Sequence, residues 1–300
     1  MSRWYVSMIV QMVTALAVIL PRAVPAAEFA CAEGDVTCLI NAITAANANG
    51  EANTITLAAG TYTLTAVNNT TVDGPNGLPS ITSPLTITGA NIQDSMQNSI
   101  SNSFNFTSSG VGNITIGQNT GTVTGVGNLN APTIIEQSLG APDFGLVHIA
   151  ETGTVVLDGL TLRGGAGAIA NHGTLTLANS VLAGNVHGLG GGIHNTSTMT
   201  IVNSALSTGD GISNAGDMAF TNCTVTSDIS NDGDMAFTNC TVSGSGSMSN
   251  AGVVTVQNTI LAVGISDCSG PFISLGNNLI IGATGCHILG DEAQPTENLR

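Results

Sequence analysis

Five aspartates lie close together in the second half of the chain, and carboxylates grouped in this way suit two kinds of chemistry. They are Asp210, Asp217, Asp228, Asp232 and Asp234. A glycoside hydrolase needs two or three carboxylates about 5–10 Å apart, and carboxylate oxygens are also ligands of Ca²⁺. The sequence therefore makes the face around Asp217 and Asp234 a candidate for polysaccharide hydrolysis, and it makes Asp217, Asp232 and Asp234 candidate calcium ligands.

The same aspartates also have a simpler explanation. The segments Asn-Ala-Gly-Asp and Asn-Asp-Gly-Asp, which end at Asp217 and Asp234, are typical of tight turns. Their spacing matches no recognised calcium loop. We therefore predict no catalytic residue and no cofactor apart from this candidate Ca²⁺ site, and we favour a protein that is not an enzyme. A carbohydrate-active enzyme, hydrolase or lyase, is the alternative.

The remaining titratable residues add little to the catalytic hypothesis. The five histidines have no spacing typical of metal ligands, and each is expected to be a turn residue. They are His148, His172, His187, His194 and His287. The formal net charge is −15, with four arginines and no lysine. This charge repels nucleic acid and anionic membranes and leaves too little positive charge for the groove of a polyuronate lyase.

The elements that would position these side chains follow a repeat with constant internal spacing. Two series of asparagines recur, and each member of the second lies eight residues after a member of the first. The first ladder is Asn171, Asn195, Asn214, Asn231 and Asn250; the second ladder is Asn179, Asn203, Asn222, Asn239 and Asn258. Apolar residues alternate between them, as strands require. Such a repeat is typical of a solenoid with one coil per unit.

Asparagine tolerates the left-handed backbone of a sharp corner, and stacked amides can bond along the stack to satisfy groups buried there. We therefore predict an all-β fold, a right-handed parallel β-helix, rather than a leucine-rich repeat. The segments between coils are too short for the helices of a leucine-rich repeat. In the less regular part that precedes the ladders, Glu151 is expected at the position of a first-ladder asparagine.

The ends of the chain differ from the repeats. Residues 1–27 have Arg3, an apolar run and a small-residue segment before Glu28, which predicts a cleaved signal peptide. Residues 28–50 are predicted to form an N-terminal cap, with a helix that begins after Asp35 and stops at Gly50. Residues 51–290 are then the β-helix and residues 291–300 a C-terminal tail. After signal cleavage no membrane span is expected.

Six cysteines in an exported chain permit disulfides. Cys31 with Cys38, and Cys268 with Cys286, each bracket a short loop near one end and are predicted pairs. Cys223 and Cys240 occupy one column of adjacent coils. Stacked parallel side chains seldom have disulfide geometry, so these two are predicted to be buried thiols.

Several segments resemble those of exported bacterial right-handed β-helix proteins with a CSLREA-type N-terminal motif. The segments are Thr37-Cys38-Leu39-Ile40-Asn41-Ala42-Ile43, Asn53-Thr54-Ile55-Thr56-Leu57, Gly60-Thr61-Tyr62, Leu157-Asp158-Gly159-Leu160-Thr161-Leu162-Arg163-Gly164-Gly165, Gly190-Gly191-Gly192-Ile193-His194-Asn195 and Asp267-Cys268-Ser269-Gly270. Ile40 and Asn41 replace the Arg-Glu of the N-terminal motif. The resemblance implies the fold and a secreted or cell-surface location rather than a reaction. We therefore expect a structural or interaction module whose partner is a glycan or a cell-surface protein.

Overall fold

The computed structural model describes residues 25–90, 106–108, 114–116, 132–185, 192–209, 211–268, 270–281 and 288–290. Over these residues the chain consists of one helix and of strands that, apart from two short hairpins, pair in parallel, and successive coils stack on one another. The prediction of an all-β fold, a parallel β-solenoid with an N-terminal helix, is confirmed.

The coils of the described residues build three faces. Sheet 1 has eleven strands: β1 (Glu28–Cys31), β2 (Asn53–Leu57), β6 (Pro84–Gly89), β11 (Thr154–Asp158), β14 (Thr174–Ala178), β17 (Thr198–Val202), β20 (Asp217–Thr221), β23 (Asp234–Thr238), β25 (Val253–Gln257), β27 (Phe272–Ser274) and β29 (Ile288–Leu289). Sheet 2 contains β3 (Gly60–Leu64), β9 (Thr133–Gln137), β12 (Leu160–Arg163), β15 (Val181–Ala183), β18 (Ala205–Ser207) and β21 (Thr224–Val225). Sheet 3 contains β4 (Asn69–Thr71), β5 (Gly74–Asn76), β10 (Gly145–Ile149), β13 (Gly167–Asn171), β16 (Ile193–Asn195), β19 (Ile212–Asn214) and β22 (Ile229–Asn231).

Sheets 2 and 3 are joined through one long strand, and two hairpins depart from the parallel pattern. Strand β24 (Thr241–Asn250) pairs with β21 and β22. Strand β26 (Ile260–Cys268) pairs with β24 along both sheets, and β28 (Leu279–Ile281) continues sheet 2 beyond it. Strands β4 and β5 are antiparallel, as are β7 (Phe106–Ser108) and β8 (Ile114–Ile116). The inward side chains of all three faces form one continuous apolar core.

The first ladder lies inside the stack, at the corner between sheets 3 and 1. All five asparagines are buried, and from Asn171 to Asn250 each Nδ2 donates to the Oδ1 of the next over 2.7–2.8 Å. Asn214 Nδ2 also donates to the carbonyls of Gly216 (2.9 Å) and Asp234 (3.1 Å). The ladder thus satisfies buried polar groups that the corner would otherwise leave without partners.

In the coil that precedes the first ladder, the residue aligned with the ladder asparagines is not the one that the sequence predicts. Ile149, not Glu151, pairs in register with Asn171. Glu151 lies exposed in the following turn. The expectation for Glu151 is wrong because the turn between β10 and β11 is two residues longer than the turn that follows Asn171, so counting along the sequence shifts the alignment by two positions.

The second ladder lies outside, at the corner between sheets 1 and 2. Its asparagines are exposed, and all five have a positive φ of 50–56°. Each Nδ2 from Asn203 to Asn258 donates to the preceding Oδ1 over 3.1–3.3 Å. Asn277, with a φ of 58°, repeats this conformation one coil further on. Only the first ladder is therefore buried. The second ladder consists of asparagines mainly because this residue tolerates the positive φ of the corner.

A third column lies just inside the second ladder and carries small polar side chains. Ser180 N donates to Ser204 Oγ (3.1 Å), Cys223 N to Cys240 Sγ (3.4 Å) and Cys240 N to Thr259 Oγ1 (3.2 Å). Cys223 and Cys240 are free and buried, as predicted. Their shared hydrogen bond and their burial raise the pKa of the Cys223 thiol, so it stays protonated and unreactive. Sulfur here occupies the position that hydroxyls hold in neighbouring coils.

The helix α1 (Val36–Asn49) covers the N-terminal end of the stack. Asp35 caps it, because its Oδ1 accepts from Cys38 N at 2.8 Å, and Gly50 ends it with a φ of 68°. The predicted disulfide between Cys31 and Cys38 is present and ties β1 to the first turn of the helix. Its buried residues join the core of the first coils: Leu39, Ala42, Ile43 and Ala46. The helix therefore shields the apolar cross-section that an end coil exposes.

The burial of the first ladder predicts that its members cannot be replaced by an apolar residue of similar size. In Asn231→Leu, the Oδ1 of Asn250 and the carbonyls of Gly233 and Val253 each lose a donor. We expect a loss of about 1–3 kcal/mol in the free energy of unfolding. Urea denaturation followed by circular dichroism measures this loss.

The second ladder predicts a different response, which serves as the control. From the sequence alone, Asn222→Leu and Asn239→Leu are each expected to cost about 1–3 kcal/mol through lost hydrogen bonds. Because the side chains are exposed, we now expect the backbone conformation to dominate. Asn239→Gly should be close to neutral, whereas Asn239→Val should cost about 1–2 kcal/mol. Equal losses for Asn231→Leu and Asn239→Gly would contradict the difference between the ladders.

The position of α1 predicts that charge on its buried face causes association of the chains. In Leu39→Asp/Ile43→Asp, two carboxylates would face the core, which should detach the helix and expose the end coil. We expect aggregates or fibres in size-exclusion chromatography with light scattering. The matched control is Asn41→Asp/Ala45→Asp, because both of these residues are exposed on the same helix. A monomeric Leu39→Asp/Ile43→Asp variant of unchanged thermal stability would show that α1 is not a cap.

Candidate functional site

Two histidines from neighbouring coils of sheet 3 converge on one carboxylate. His172 Nε2 lies 2.6 Å from Asp73 Oδ2, and His148 Nε2 lies 3.4 Å from the same oxygen. One ligand atom from each residue lies within 4.8 Å of the others. The two imidazole rings have centroids 5.4 Å apart. We call Asp73, His148 and His172 the Asp–His cluster.

The backbone of sheet 3 fixes both histidines. His148 lies in β10, where its carbonyl accepts from Ile81 N at 2.9 Å. His172 follows Asn171 at the corner, and its N–H donates to Ile149 O at 2.9 Å. Both rings therefore extend from segments that are hydrogen-bonded in the stack, so their separation is set by the register of the coils.

Asp73 arrives from a part of the chain that is distant in sequence. It lies in the turn between β4 and β5, a hairpin whose second strand pairs with β10 through Asn76 and Gly145. The Asn76 Nδ2 donates to Asn69 Oδ1, Thr71 Oγ1 and the Gly74 carbonyl, each at 3.2 Å. This buried amide holds the two strands together and so holds Asp73 against the histidines.

The two histidines of the cluster have different surroundings. His148 is only 6% exposed, and its Nδ1 has no hydrogen-bond partner. Burial lowers the pKa of His148; the Asp73 carboxylate opposes this shift, and His172 adds to it. His172 is more accessible, and its Nδ1 lies 2.7 Å from Thr196 Oγ1. His194, in the next coil, packs edge-on against His172 with the ring centroids 6.0 Å apart.

The sequence did not reveal this cluster. The expectation that each histidine is a turn residue is confirmed for His172, which lies at the turn after β13, and is wrong for His148 and His194, which lie in β10 and β16. Asp73 is 99 residues from His172 in the chain, and it lies where the repeat pattern is lost. One signal was present. His148 and His194 occupy the same column, which the pairing of each with Ala170 establishes, and His172 lies beside that column.

The aspartates selected from the sequence occupy another face. Asp217 and Asp234 are in-register neighbours on β20 and β23, and both are exposed. They border a shallow groove on the outside of sheet 1. Its base is the outward column of Thr200, Ala219, Ala236 and Thr255. The groove exists because two alanines lie between two longer threonines.

The candidate calcium ligands do not converge in the same way as the Asp–His cluster. Asp232 is exposed in the turn that precedes β23. Among the residues that the structure describes, the Asp–His cluster is the group of three whose ligand atoms lie close together, and Asp217, Asp232 and Asp234 do not form such a group. Calcium binding by these three aspartates stays a prediction.

Several other residues considered from the sequence can also be placed. Arg163 is half exposed, and its Nε lies 2.6 Å from Glu136 Oε2, so a carboxylate neutralises it. Of the predicted pair Cys268 and Cys286, Cys286 and the side chain of Cys268 lie outside the described residues. Asp210, His187 and His287 also lie outside them.

Comparison with models of known protein families and with curated protein sequences finds no match to this chain. In the described part of the chain, no helix has the length and apolar character to cross a membrane.

The lowered pKa of His148 predicts that stability depends on pH. The unfolded chain takes up a proton near the ordinary value of 6.5, but the folded chain does not until the pH is lower. The contribution of His148 is therefore complete above 6.5 and is lost as the pH falls toward the folded pKa. In buffer with EDTA, we expect the urea midpoint to fall between about pH 7 and pH 5.

A comparison of variants isolates the part of this fall that belongs to His148. His148→Gln should flatten the pH profile, because glutamine does not titrate. His194→Gln should keep the slope of the native protein, because it leaves His148 and its contact with Asp73 in place. A His148→Gln profile parallel to that of the native protein would contradict the assignment to His148.

Proposed function

We propose that the protein is an exported right-handed β-helix that serves as a surface or extracellular binding module for a neutral glycan. The observation that carries this proposal is the groove on the outside of sheet 1. The right-handed sense is the one expected for crossovers between parallel strands. A cell-surface protein is the alternative partner.

Export is supported by three features of the chain. Residues 1–27 have the organisation of a signal peptide. The segments that resemble the CSLREA-type proteins include the helix that caps the stack. The disulfide between Cys31 and Cys38 suits an oxidising compartment, since such bonds are rare in the cytosol.

The chemistry of the groove suits a polymer that is rich in hydroxyl groups. Asp217 and Asp234 present carboxylate oxygens that can accept hydrogen bonds from sugar hydroxyls, and Thr200 and Thr255 present hydroxyls. Parallel strands lie about 4.8 Å apart, so the groove offers similar groups at regular intervals. The first ladder holds these strands in register, and a pre-formed surface lowers the entropic cost of binding.

The charge of the chain restricts the class of glycan. The formal net charge is −15, and the described arginine Arg163 is already paired with Glu136. A polyuronate or a sulfated polymer would therefore be repelled before contact. A neutral glycan avoids this repulsion, and the exposed aspartates can accept hydrogen bonds from its hydroxyl groups.

This proposal predicts that filling the groove abolishes binding. We expect the purified chain to retain a neutral glycan on a glycan array and Ala236→Tyr to lose it, because the larger ring occupies the space between Thr200 and Thr255. The matched control is Ala205→Tyr, an exposed position on sheet 2. Equal binding by both variants, or binding to no neutral glycan, would contradict a glycan site in this groove.

A second candidate function, glycoside hydrolysis, is favoured by one observation. Asp217 and Asp234 are in-register neighbours, and the strand spacing of about 4.8 Å approaches the separation of about 5–5.5 Å between the carboxyl groups of retaining glycosidases. The samples that test binding also test this function. A binding module retains the glycan without releasing sugar. If instead the native chain releases reducing sugar, and Asp217→Asn and Asp234→Asn both lose this activity, the protein is an enzyme rather than a binding module.

A further inference from the structure

We propose that the Asp–His cluster binds one divalent transition-metal ion, with Zn²⁺ as the best match, through Asp73, His148 and His172. Two imidazoles and one carboxylate, with a fourth position left open, are a common ligand set of zinc. This site is independent of the groove on sheet 1, because it lies on sheet 3 and shares no residue with it.

The distances within the cluster are close to those that a metal requires. Zinc binds imidazole nitrogen at about 2.0–2.1 Å and carboxylate oxygen at about 2.0–2.2 Å, so the ligand atoms of a tetrahedral site lie about 3.4 Å apart. The distance from His148 Nε2 to Asp73 Oδ2 is 3.4 Å. The shorter distance from His172, 2.6 Å, would lengthen by less than 1 Å. Asp73 can provide this movement, since it lies in a hairpin turn.

The surroundings of the histidines also match those of metal ligands. A ligating histidine usually has its other ring nitrogen held by a hydrogen bond, which fixes the tautomer. His172 has this arrangement, because Thr196 Oγ1 holds Nδ1 while Nε2 faces Asp73. His148 presents its Nε2 to the same oxygen of Asp73 from a buried position, so little water competes for this nitrogen. Its Nδ1 has no hydrogen-bond partner, so its tautomer is not fixed in this way.

A small hollow lies beside Asp73, and neither His148 nor His172 lines it. It is lined by residues that include Asp73, Gly145, Gly167, Ala170 and His194. The two glycines and the alanine have no bulky side chain to fill this space, so it offers room for a water molecule next to Asp73. Calcium and magnesium are poor alternatives, because they prefer sites made of oxygen atoms alone.

The experiment titrates the EDTA-treated full chain with ZnCl₂ by isothermal titration calorimetry. We expect one Zn²⁺ per chain and a melting temperature that rises when Zn²⁺ is added. Asp73→Asn and His172→Asn should each weaken binding about tenfold or more, by loss of a ligand. Both side chains lie at turns, and circular dichroism would show that the variants keep the fold. Bound Co²⁺ should give the visible absorption of a tetrahedral site, and this absorption should be absent in Asp73→Asn.

One control separates this site from weaker binding elsewhere. Asp217→Asn/Asp234→Asn removes the exposed carboxylates of sheet 1, which share no residue with the cluster. This variant should bind Zn²⁺ with the affinity of the native protein. No stoichiometric binding, or binding that Asp73→Asn and His172→Asn leave unchanged, would overturn the proposal.

Discussion

The hydrogen bonds between the stacked amides of the first ladder set the geometry of the solenoid. Each buried asparagine both donates to and accepts from its neighbours, from Asn195 to Asn231. A shift of one residue would turn an amide outward and an apolar residue would take its place, since side chains alternate along a strand. The ladder therefore fixes the register, and the register places every other column of side chains.

Much of the fold could be predicted because the repeat constrains local chemistry and long-range contacts at the same time. The constant offset of eight residues between the ladders predicted one coil per repeat, and Asp35 and Gly50 predicted where the helix begins and ends. The difference in burial between the ladders could not be inferred, since asparagine suits both a buried amide column and an exposed left-handed corner. The prediction for Glu151 was wrong because the turn between β10 and β11 is longer than the corresponding turns of later coils.

The candidate sites also differ in whether the repeat could predict them. Asp217 and Asp234 could be placed side by side, because they belong to the regular repeat and neighbouring coils are related by a simple count. The Asp–His cluster could not, because Asp73 reaches sheet 3 through a hairpin that no repeat predicts. Because one of its residues comes from a hairpin outside the repeat, the cluster produces no regular spacing in the sequence.

Two adjacent coils have nearly the same sequence: residues 212–225 and 229–242 differ only at Ala215 and Asp232. The stacked rings of Phe220 and Phe237, with centroids 4.7 Å apart, have the same origin as the paired cysteines and the paired aspartates. Repetition of one coil produces all three pairs at once. Since each coil contacts only its two neighbours, adding or removing one such coil would change the length of the molecule by about 4.8 Å.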